Sequence, residues 1–245
     1  MTIVFSMAGL SQRFIRDGFT LPKYMLYAGN KSLFNLAVSG FSHYYKSCKF
    51  LFIARNIYDT KRFIEDECKI LGIEDYEIVI LDKLTQGQAE TVYLGLTLSK
   101  TGEDEPITVF NIDTFRQGFR FPKEISTWDG YLEVFNGEGS NWSYAKTASP
   151  ISTQVVETAE KVQISNYCST GLYYFKSAAL FNLAFISRNE ISPINNTKEL
   201  YIAPLYNWLI AQNNNIHIHL IDRSAVLFCG IPEEYYDYLK QMFKE

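Results

Sequence analysis

Apolar runs alternate with longer amphipathic stretches through the first half of the chain. The runs at 2–6, 49–54, 77–81 and 107–112 are apolar and partly β-branched, as strands buried on both faces are. Between them, 33–45, 59–71 and 89–99 read as helices. This order predicts a parallel sheet covered on both sides. After Asp113 the rhythm shortens: strand candidates at 130–135, 143–147, 154–160 and 172–175, with turn residues between them, predict an antiparallel addition. Helices at 178–187 and 200–212, a strand at 216–221 and a terminal helix from 233 complete the pattern. The expected fold class is α/β, with a mostly parallel central sheet flanked by helices and a smaller antiparallel portion. No repeat, low-complexity tract or linker divides the chain, so 1–245 reads as one domain. Ligands on such sheets sit at the carboxyl ends of the strands, where 7–13 and 111–114 fall.

Composition removes several function classes. The chain has 245 residues, 47% of them hydrophobic, enough for one substantial core. A formal charge of −4 gives no support for nucleic-acid binding, so an anionic ligand must be met by a few placed cations. No apolar stretch is long enough to span a bilayer, and the first residues lack the shape of a signal peptide, so no membrane partner is expected. Cys48, Cys68, Cys168 and Cys229 show no C-x-x-C spacing and read as buried thiols in a reducing, cytoplasmic compartment. Asn141-Trp142-Ser143 and Asn195-Asn196-Thr197 match glycosylation sequons that carry no meaning in such a compartment.

The clearest chemistry follows the first strand: Met7-Ala8-Gly9-Leu10-Ser11-Gln12-Arg13-Phe14, then Leu21-Pro22-Lys23. Small residues let backbone N–H groups surround phosphate oxygens, and two cations complete an anion cradle. G-x-x-x-x-G-K-[ST] is absent, the later glycines of a dinucleotide fingerprint are missing, and Ser11 is not set in a nucleophile elbow. Arg13 offers a fork that binds two oxygens of the β- and γ-phosphates, whereas Lys23 offers a point charge for an α- or acceptor phosphate. Pro22 fixes the local backbone and keeps Lys23 out of a regular helix.

Asp113 ends a buried strand at its carboxyl edge, where a carboxylate can hold Mg²⁺ against phosphate oxygens or simply cap a turn. Leu84–Thr91 reads as a loop opening a helix. Gly87 and Ala89 remove bulk where a planar base could lie, and Gln86 and Gln88 offer donors and acceptors to its edge. His217 and His219 share a strand face but lack a third ligand at a recognisable spacing, and the paired tyrosines read as packing.

Met7–Phe14 with Pro22-Lys23 resembles the signature of the sugar-phosphate nucleotidylyltransferases, G-x-G-x-R-[FL] followed by P-K. Ser11 replaces the second glycine. Gln86-Gly87-Gln88-Ala89 resembles the same family's Q-G-x-A segment. The resemblance implies a GT-A-like fold, with a nucleotide portion over about 1–125, an acceptor portion over about 126–232 and a helix at 233–245. It implies catalytic roles for Arg13 and Lys23, and nucleotide contacts from Met7, Ala8, Gly9, Leu10, Ser11, Gln86, Gly87, Gln88 and Ala89. It also implies Mg²⁺ held by Asp113. Glu160-Lys161 resembles a Glu-Lys pair beside the acceptor, which assigns Lys161 to the acceptor phosphate; a surface ion pair is the plainer account. The stretch from Asn166 to Phe175 resembles the strand lining the acceptor pocket and brings in Tyr167, Gly171 and Tyr173.

Cys229-Gly230-Ile231-Pro232-Glu233 resembles a G-T-P-E segment. Many relatives carry a second metal-binding aspartate two residues before that glycine, where this chain has Phe228. Asp222 is the nearest substitute, with Glu160 after it. Within the family the chain is most similar to small capsule-associated cytidylyltransferases. That implies CTP as donor, phosphoglutamine as acceptor, and CDP-glutamine and pyrophosphate as products, made by a monomer or homodimer. Sugar 1-phosphates and phosphocholine are the alternative acceptors. A GT-A glycosyltransferase would need D-x-D where Asn111-Ile112-Asp113 stands, and a non-catalytic sugar-nucleotide binder would keep the cradle without metal ligation.

Overall fold

The computed structural model describes residues 1–190 and 199–242. Along them run β1 Thr2–Ser6, α1 Gln12–Arg16, β2 Tyr27–Ala28, β3 Lys31–Ser32, α2 Leu33–Ser39, β4 Lys49–Arg55, α3 Thr60–Leu71 and β5 Tyr76–Leu81. Then come α4 Gln88–Leu98, β6 Ile107–Asn111, β7 Thr114–Arg116, β8 Gly130–Asn136, β9 Ser143–Thr147, β10 Val155–Glu160 and β11 Tyr167–Phe175. The last are α5 Ala178–Ile186, α6 Leu205–Ala211, β12 Ile216–Ile221, β13 Val226–Phe228 and α7 Pro232–Met242. The sequon at 195–197 and the end of the terminal helix at 243–245 lie outside the described residues. Among the described residues no helix is long and apolar enough to cross a membrane.

The central sheet is the expected mostly parallel one. Strands β5, β4, β1 and β6 pair in parallel. Strand β11 runs antiparallel between β6 and β8, and β12 closes the far edge parallel to β8. The β9–β10 hairpin joins beside the first half of β11 through Cys168 and Tyr144. Alternation along the strands sorts the two faces by chemistry. Phe5, Phe50, Phe52 and Phe110 turn to one side and meet Phe34 of α2 and Phe41 just beyond it. Phe5 stacks 5.6 Å from Phe52 and stands edge-on to Phe41 at 5.5 Å. Val4, Leu51, Ile53 and Val109 turn to the other side, against residues of α4, α5 and α6.

Local signals set most helix ends. The Ser32 and Ser177 hydroxyls accept N–H bonds at the starts of α2 and α5, and α3 ends at Gly72 in a left-handed conformation, φ 74°. Where the observed ends depart from the pattern, tertiary contacts decide. Helix α2 stops at Ser39 rather than 45; at Gly40 the Arg116 carbonyl oxygen lies 2.2 Å from where a Cβ would stand, and the Gly40 carbonyl accepts the Phe119 N–H at 3.2 Å instead of continuing the helix. Helix α6 starts after Pro204 rather than at 200, since the Leu200 backbone bonds to the Gln86–Ala89 loop instead. Strand β11 begins at Tyr167, five residues before the apolar run, because Gly171 at φ 90° carries an irregularity inside it. The two-stranded ribbon of β7 and β13 has no counterpart in the sequence pattern; it is only three residue pairs long.

Helix α4 approaches β4 closely because Gly95 has no side chain: a Cβ there would lie 2.1 Å from Ile53 Cδ1. Gly95→Ala is expected to lower stability by about 1–3 kcal/mol through overpacking, and to cost less in a chain that already carries Ile53→Ala, where the clashing atoms are gone. Urea denaturation with an unchanged m-value measures both.

Candidate active site

The loops that leave β1 and β6 open onto one cleft of about 770 Å³. Its floor is the Ser6–Phe14 segment, one wall is Leu84–Gln88, the head is Asn111–Asp113 with Lys23 and Gly230, and the far end is Asn141, Glu160, Lys161, Glu199 and Tyr201. Met7 and Ala8 are buried where the strand ends, whereas Gly9 and Leu10 face solvent. Ser11 then sits at φ 51° and ψ 31°, a left-handed conformation that favours glycine, ahead of the short helix α1. Its hydroxyl makes no cap bond to α1; it accepts the Lys23 N–H at 3.2 Å instead. The serine therefore ties the loop to the Pro-Lys segment. Lys23 opens a three-residue 3₁₀ turn behind Pro22.

At the head of the cleft the Lys23 ammonium donates to Asp113 Oδ2 in an ion pair, both side chains about one-fifth exposed. Their sequence separation is 90 residues. Asp113 is also fixed from behind, its carbonyl accepting the Cys229 N–H at 2.8 Å. Glu234 accepts N–H bonds from Gly230 and Ile231 at 2.7 and 3.3 Å, closing the first turn of α7. Burial, with Asp113 and Glu234 nearby, pushes the Cys229 thiol up to about 12, so it is no nucleophile at neutral pH.

Could Asp113 hold a divalent cation? A Cβ on Gly230 would lie 3.2 Å from Asp113 Oδ2, so glycine keeps that side of the carboxylate open. Mg²⁺ is commonly held by one or two carboxylates plus phosphate oxygens and water, and this donor set fits that kind of site. Among the described residues no group of three or more His, Cys, Asp or Glu could hold a metal by itself. Phe228 is committed to packing, 4.6 Å from Trp142 and 5.6 Å from Phe135, with the Arg223 guanidinium 4.9 Å above its ring.

Glycine at 87 is required by a main-chain contact that the sequence does not show. Its φ is 149°, and a Cβ would lie 2.5 Å from the Leu200 carbonyl oxygen. Leu200 donates its N–H to Gln86 O at 2.8 Å and accepts the Ala89 N–H at 2.9 Å. The missing side chain thus makes room for a crossing main chain. Gln88 Nε2 donates to Asn111 Oδ1 at 2.7 Å, and Asn111 in turn fills the space left by Gly171, whose Cβ would lie 2.2 Å from Asn111 Nδ2. At the far end Glu160 is 4% exposed and accepts from the Ser143 hydroxyl. Burial raises its pKa above the ordinary carboxylate range, opposed by the Ser143 bond. Lys161, at φ 58°, donates to the Tyr201 hydroxyl, which donates to Glu199.

No protein-family model and no curated protein sequence matches the chain. Among solved structures, a nucleoside-diphosphate-sugar pyrophosphorylase from Vibrio cholerae RC9 is 48% identical, with a TM-score of 0.92 over 98% of this chain and 100% of its own. The chain belongs to the nucleoside-diphosphate-sugar pyrophosphorylase family. Two more distant structures share the fold of this pyrophosphorylase-family chain. A UDP-glucose pyrophosphorylase complexed with UDP-glucose is 16% identical at TM-score 0.75, over 99% of this chain and 98% of that one. An inositol-1-phosphate CTP transferase from T. maritima is 12% identical at 0.71, over 98% and 95%.

In this pyrophosphorylase-family cleft the structure gathers Met7, Ala8, Gly9, Leu10, Ser11, Arg13, Lys23, Gln86, Gly87, Gln88, Asp113 and Lys161. Five expected residues do not line it. Ala89 is buried in the core beside α5 and α6 residues. Tyr167 is half-buried against the same core. Gly171 lies beneath Asn111. Tyr173 stands behind the wall, its hydroxyl donating to Ser143 Oγ at 3.2 Å and so backing Glu160 indirectly. Asp222 is the plain correction: it is exposed and caps the turn at Arg223–Ala225, accepting from the Ser224 N–H at 2.8 Å and hydroxyl at 2.6 Å.

Arg16, Asn111, Glu199, Tyr201 and Gly230 line the cleft without having been singled out as contacts. Arg16 was legible as the helical neighbour of Arg13 three residues on. Tyr201 was hidden by reading 200–212 as helix. His217 spends both ring nitrogens inside the fold, on Thr153 at 2.8 Å and Asn215 at 2.7 Å, while its ring stacks on Trp128 at 4.7 Å.

Asp222→Ala is expected to leave turnover at every Mg²⁺ concentration unchanged and to lower the melting temperature only slightly, as a lost turn cap. Gly87→Ala is expected to weaken donor binding by about tenfold or more, because the cleft wall and Leu200 cannot keep their spacing. Turnover against Mg²⁺ concentration, thermal unfolding and calorimetric nucleotide titration check these outcomes.

Proposed function

We propose that this protein is a Mg²⁺-dependent cytidylyltransferase that transfers CMP from CTP to a small phosphorylated acceptor and releases pyrophosphate. The observation that carries the transfer chemistry is the meeting of Lys23 and Asp113 at the head of a cleft floored by the Met7–Arg13 loop. An anionic acceptor oxygen attacks the α-phosphorus while pyrophosphate departs in line, so the protein's work is positioning and charge neutralisation. Arg13 binds the departing β- and γ-phosphates through its planar fork. Lys23 leaves Asp113 for the α-phosphate and stabilises the charge gathering on its oxygens. Asp113, released, would hold the metal, which when bound withdraws charge from the phosphate oxygens. Gln86 and Gln88 face the base, and Lys161 receives the acceptor phosphate. Residues 1–125 on this reading serve the nucleotide and 126–232 the acceptor.

The sequence resemblance supports CTP as donor and phosphoglutamine as acceptor, which gives CDP-glutamine. A second reading, a sugar 1-phosphate as acceptor, is favoured by the name of the 48%-identical relative. Both keep the same donor machinery and differ only at the Glu160–Lys161 end.

Purified protein, Mg²⁺ and each nucleoside triphosphate in turn, against sugar, polyol, choline and amino-acid phosphates, are expected to release pyrophosphate for one pairing with CTP. Absence of pyrophosphate from every pairing would overturn the proposal. Lys23→Ala and Asp113→Ala are each expected to lower kcat by about 10²-fold or more with the circular dichroism spectrum unchanged. Normal turnover in either variant removes that residue from the mechanism.

A further inference from the structure

The ribbon of β7 and β13 is a sheet of its own, yet it carries both halves of the cleft's head. Asp113 immediately precedes β7, and Gly230 follows β13 by two residues. Three residue pairs hold the ribbon together, and the Cys229 N–H on the Asp113 carbonyl extends it at the cleft end. Its apolar residues, among them Phe115 and Val226, are buried, but apolar packing is non-directional and fixes no register.

Among the described residues, one side-chain ion pair joins the ribbon to the central sheet. Arg116 Nε donates to both Glu133 carboxylate oxygens, at 3.0 and 3.1 Å, and Arg116 Nη1 donates to the Gln117 carbonyl at 3.0 Å. Arg116 is 9% exposed and Glu133 not at all. Thr170 of β11 adds a hydroxyl bond to Glu133 Oε1 at 3.2 Å. The next residue, Gly171, receives Asn111, which holds Gln88. The same carboxylate is therefore linked to the metal end of the cleft and to the base-facing loop.

Stability does not account for such a pair. Replacing a buried ion pair with apolar residues of similar volume is often neutral or stabilising, so what it adds is a fixed geometry. We infer that Arg116 and Glu133 are positioning residues, whose buried pair sets the register of the β7–β13 ribbon on the sheet and hence the placement of Asp113 against Lys23. The inference rests on the reading of Asp113 as the metal-holding acid. Burial raises the pKa of Glu133, and the Arg116 charge and hydrogen bonds oppose that rise.

The test uses the full chain carrying Arg116→Met with Glu133→Leu. Mn²⁺ binding is followed by electron paramagnetic resonance in the presence of the α,β-methylene analogue of the donor that the screen selects. The double variant is expected to melt close to the parent, to bind Mn²⁺ about tenfold more weakly or worse, and to lose kcat in proportion. Its KM for the acceptor is expected to stay within about twofold, which a general loosening of the fold would not permit. Parental Mn²⁺ affinity and kcat in the folded double variant would overturn the inference.

Should that variant fail to fold, Arg116→Lys decides. It keeps the charge without the planar fork and is expected to lose Mn²⁺ affinity by about threefold or more; no loss there is equally fatal. Asp113→Asn is measured in parallel. Undiminished Mn²⁺ binding in Asp113→Asn brings down the reading of Asp113, and the positioning role with it. Loss in Asp113→Asn alone brings down only the positioning role.

Discussion

Strands β1 and β6 lie side by side in parallel register, with Ser6 opposite Asn111, and the cleft descends from that pairing. Neighbouring parallel strands deliver their following loops to one edge of a sheet, so the segment beginning at Met7 and the one ending at Asp113 have to emerge together. A separation of 90 residues collapses into the Lys23–Asp113 ion pair. Strand β4 flanks β1 in parallel, and β11 flanks β6 in the opposite sense. That reversal carries the chain back across the sheet and lets the antiparallel half wall off one end of the cleft.

Charge is handled economically in a chain of net charge −4. Arg13, Arg16, Lys23 and Lys161 line the cleft together with Asp113, Glu160 and Glu199, and Lys23 is paired with Asp113 there. The Lys23–Asp113 pair is partly exposed, and a pair of that kind adds only about 1 kcal/mol or less to stability. It is held loosely enough to be exchanged. On the proposed reading a triphosphate would offer Lys23 more negative charge than one carboxylate does, and the pair would serve as a placeholder.

The strand order could not be read from the sequence, but the nature of the sheet could. Four apolar runs with helices between them allow little other than parallel strands covered on both sides, and the loop after the first run carries its chemistry in full view. Pairings made by main chain across long separations were illegible. Nothing in Gln86–Ala89 announces that Leu200 will cross it, and nothing near Thr114 announces a partner in Val226–Phe228. Glycines at 40 and 87 mark two such crossings and Gly171 makes room for the Asn111 side chain, yet a glycine in a sequence states only that room is needed, not for whom. Asp222 misled for a related reason: an acid at a strand end is worth as much to a 3₁₀ turn as to a metal, and only the Ser224 contacts distinguish the two uses.

Leu200 grips the loop on both sides of Gly87, and the residue after Leu200 is the tyrosine that meets Lys161. One short length of chain, 199–201, is thus shared by the Leu84–Gln88 wall and the Glu160–Lys161 end of the cleft. On the proposed assignment of those two regions to donor and acceptor, a change at Leu200 or Tyr201 reaches both substrates at once.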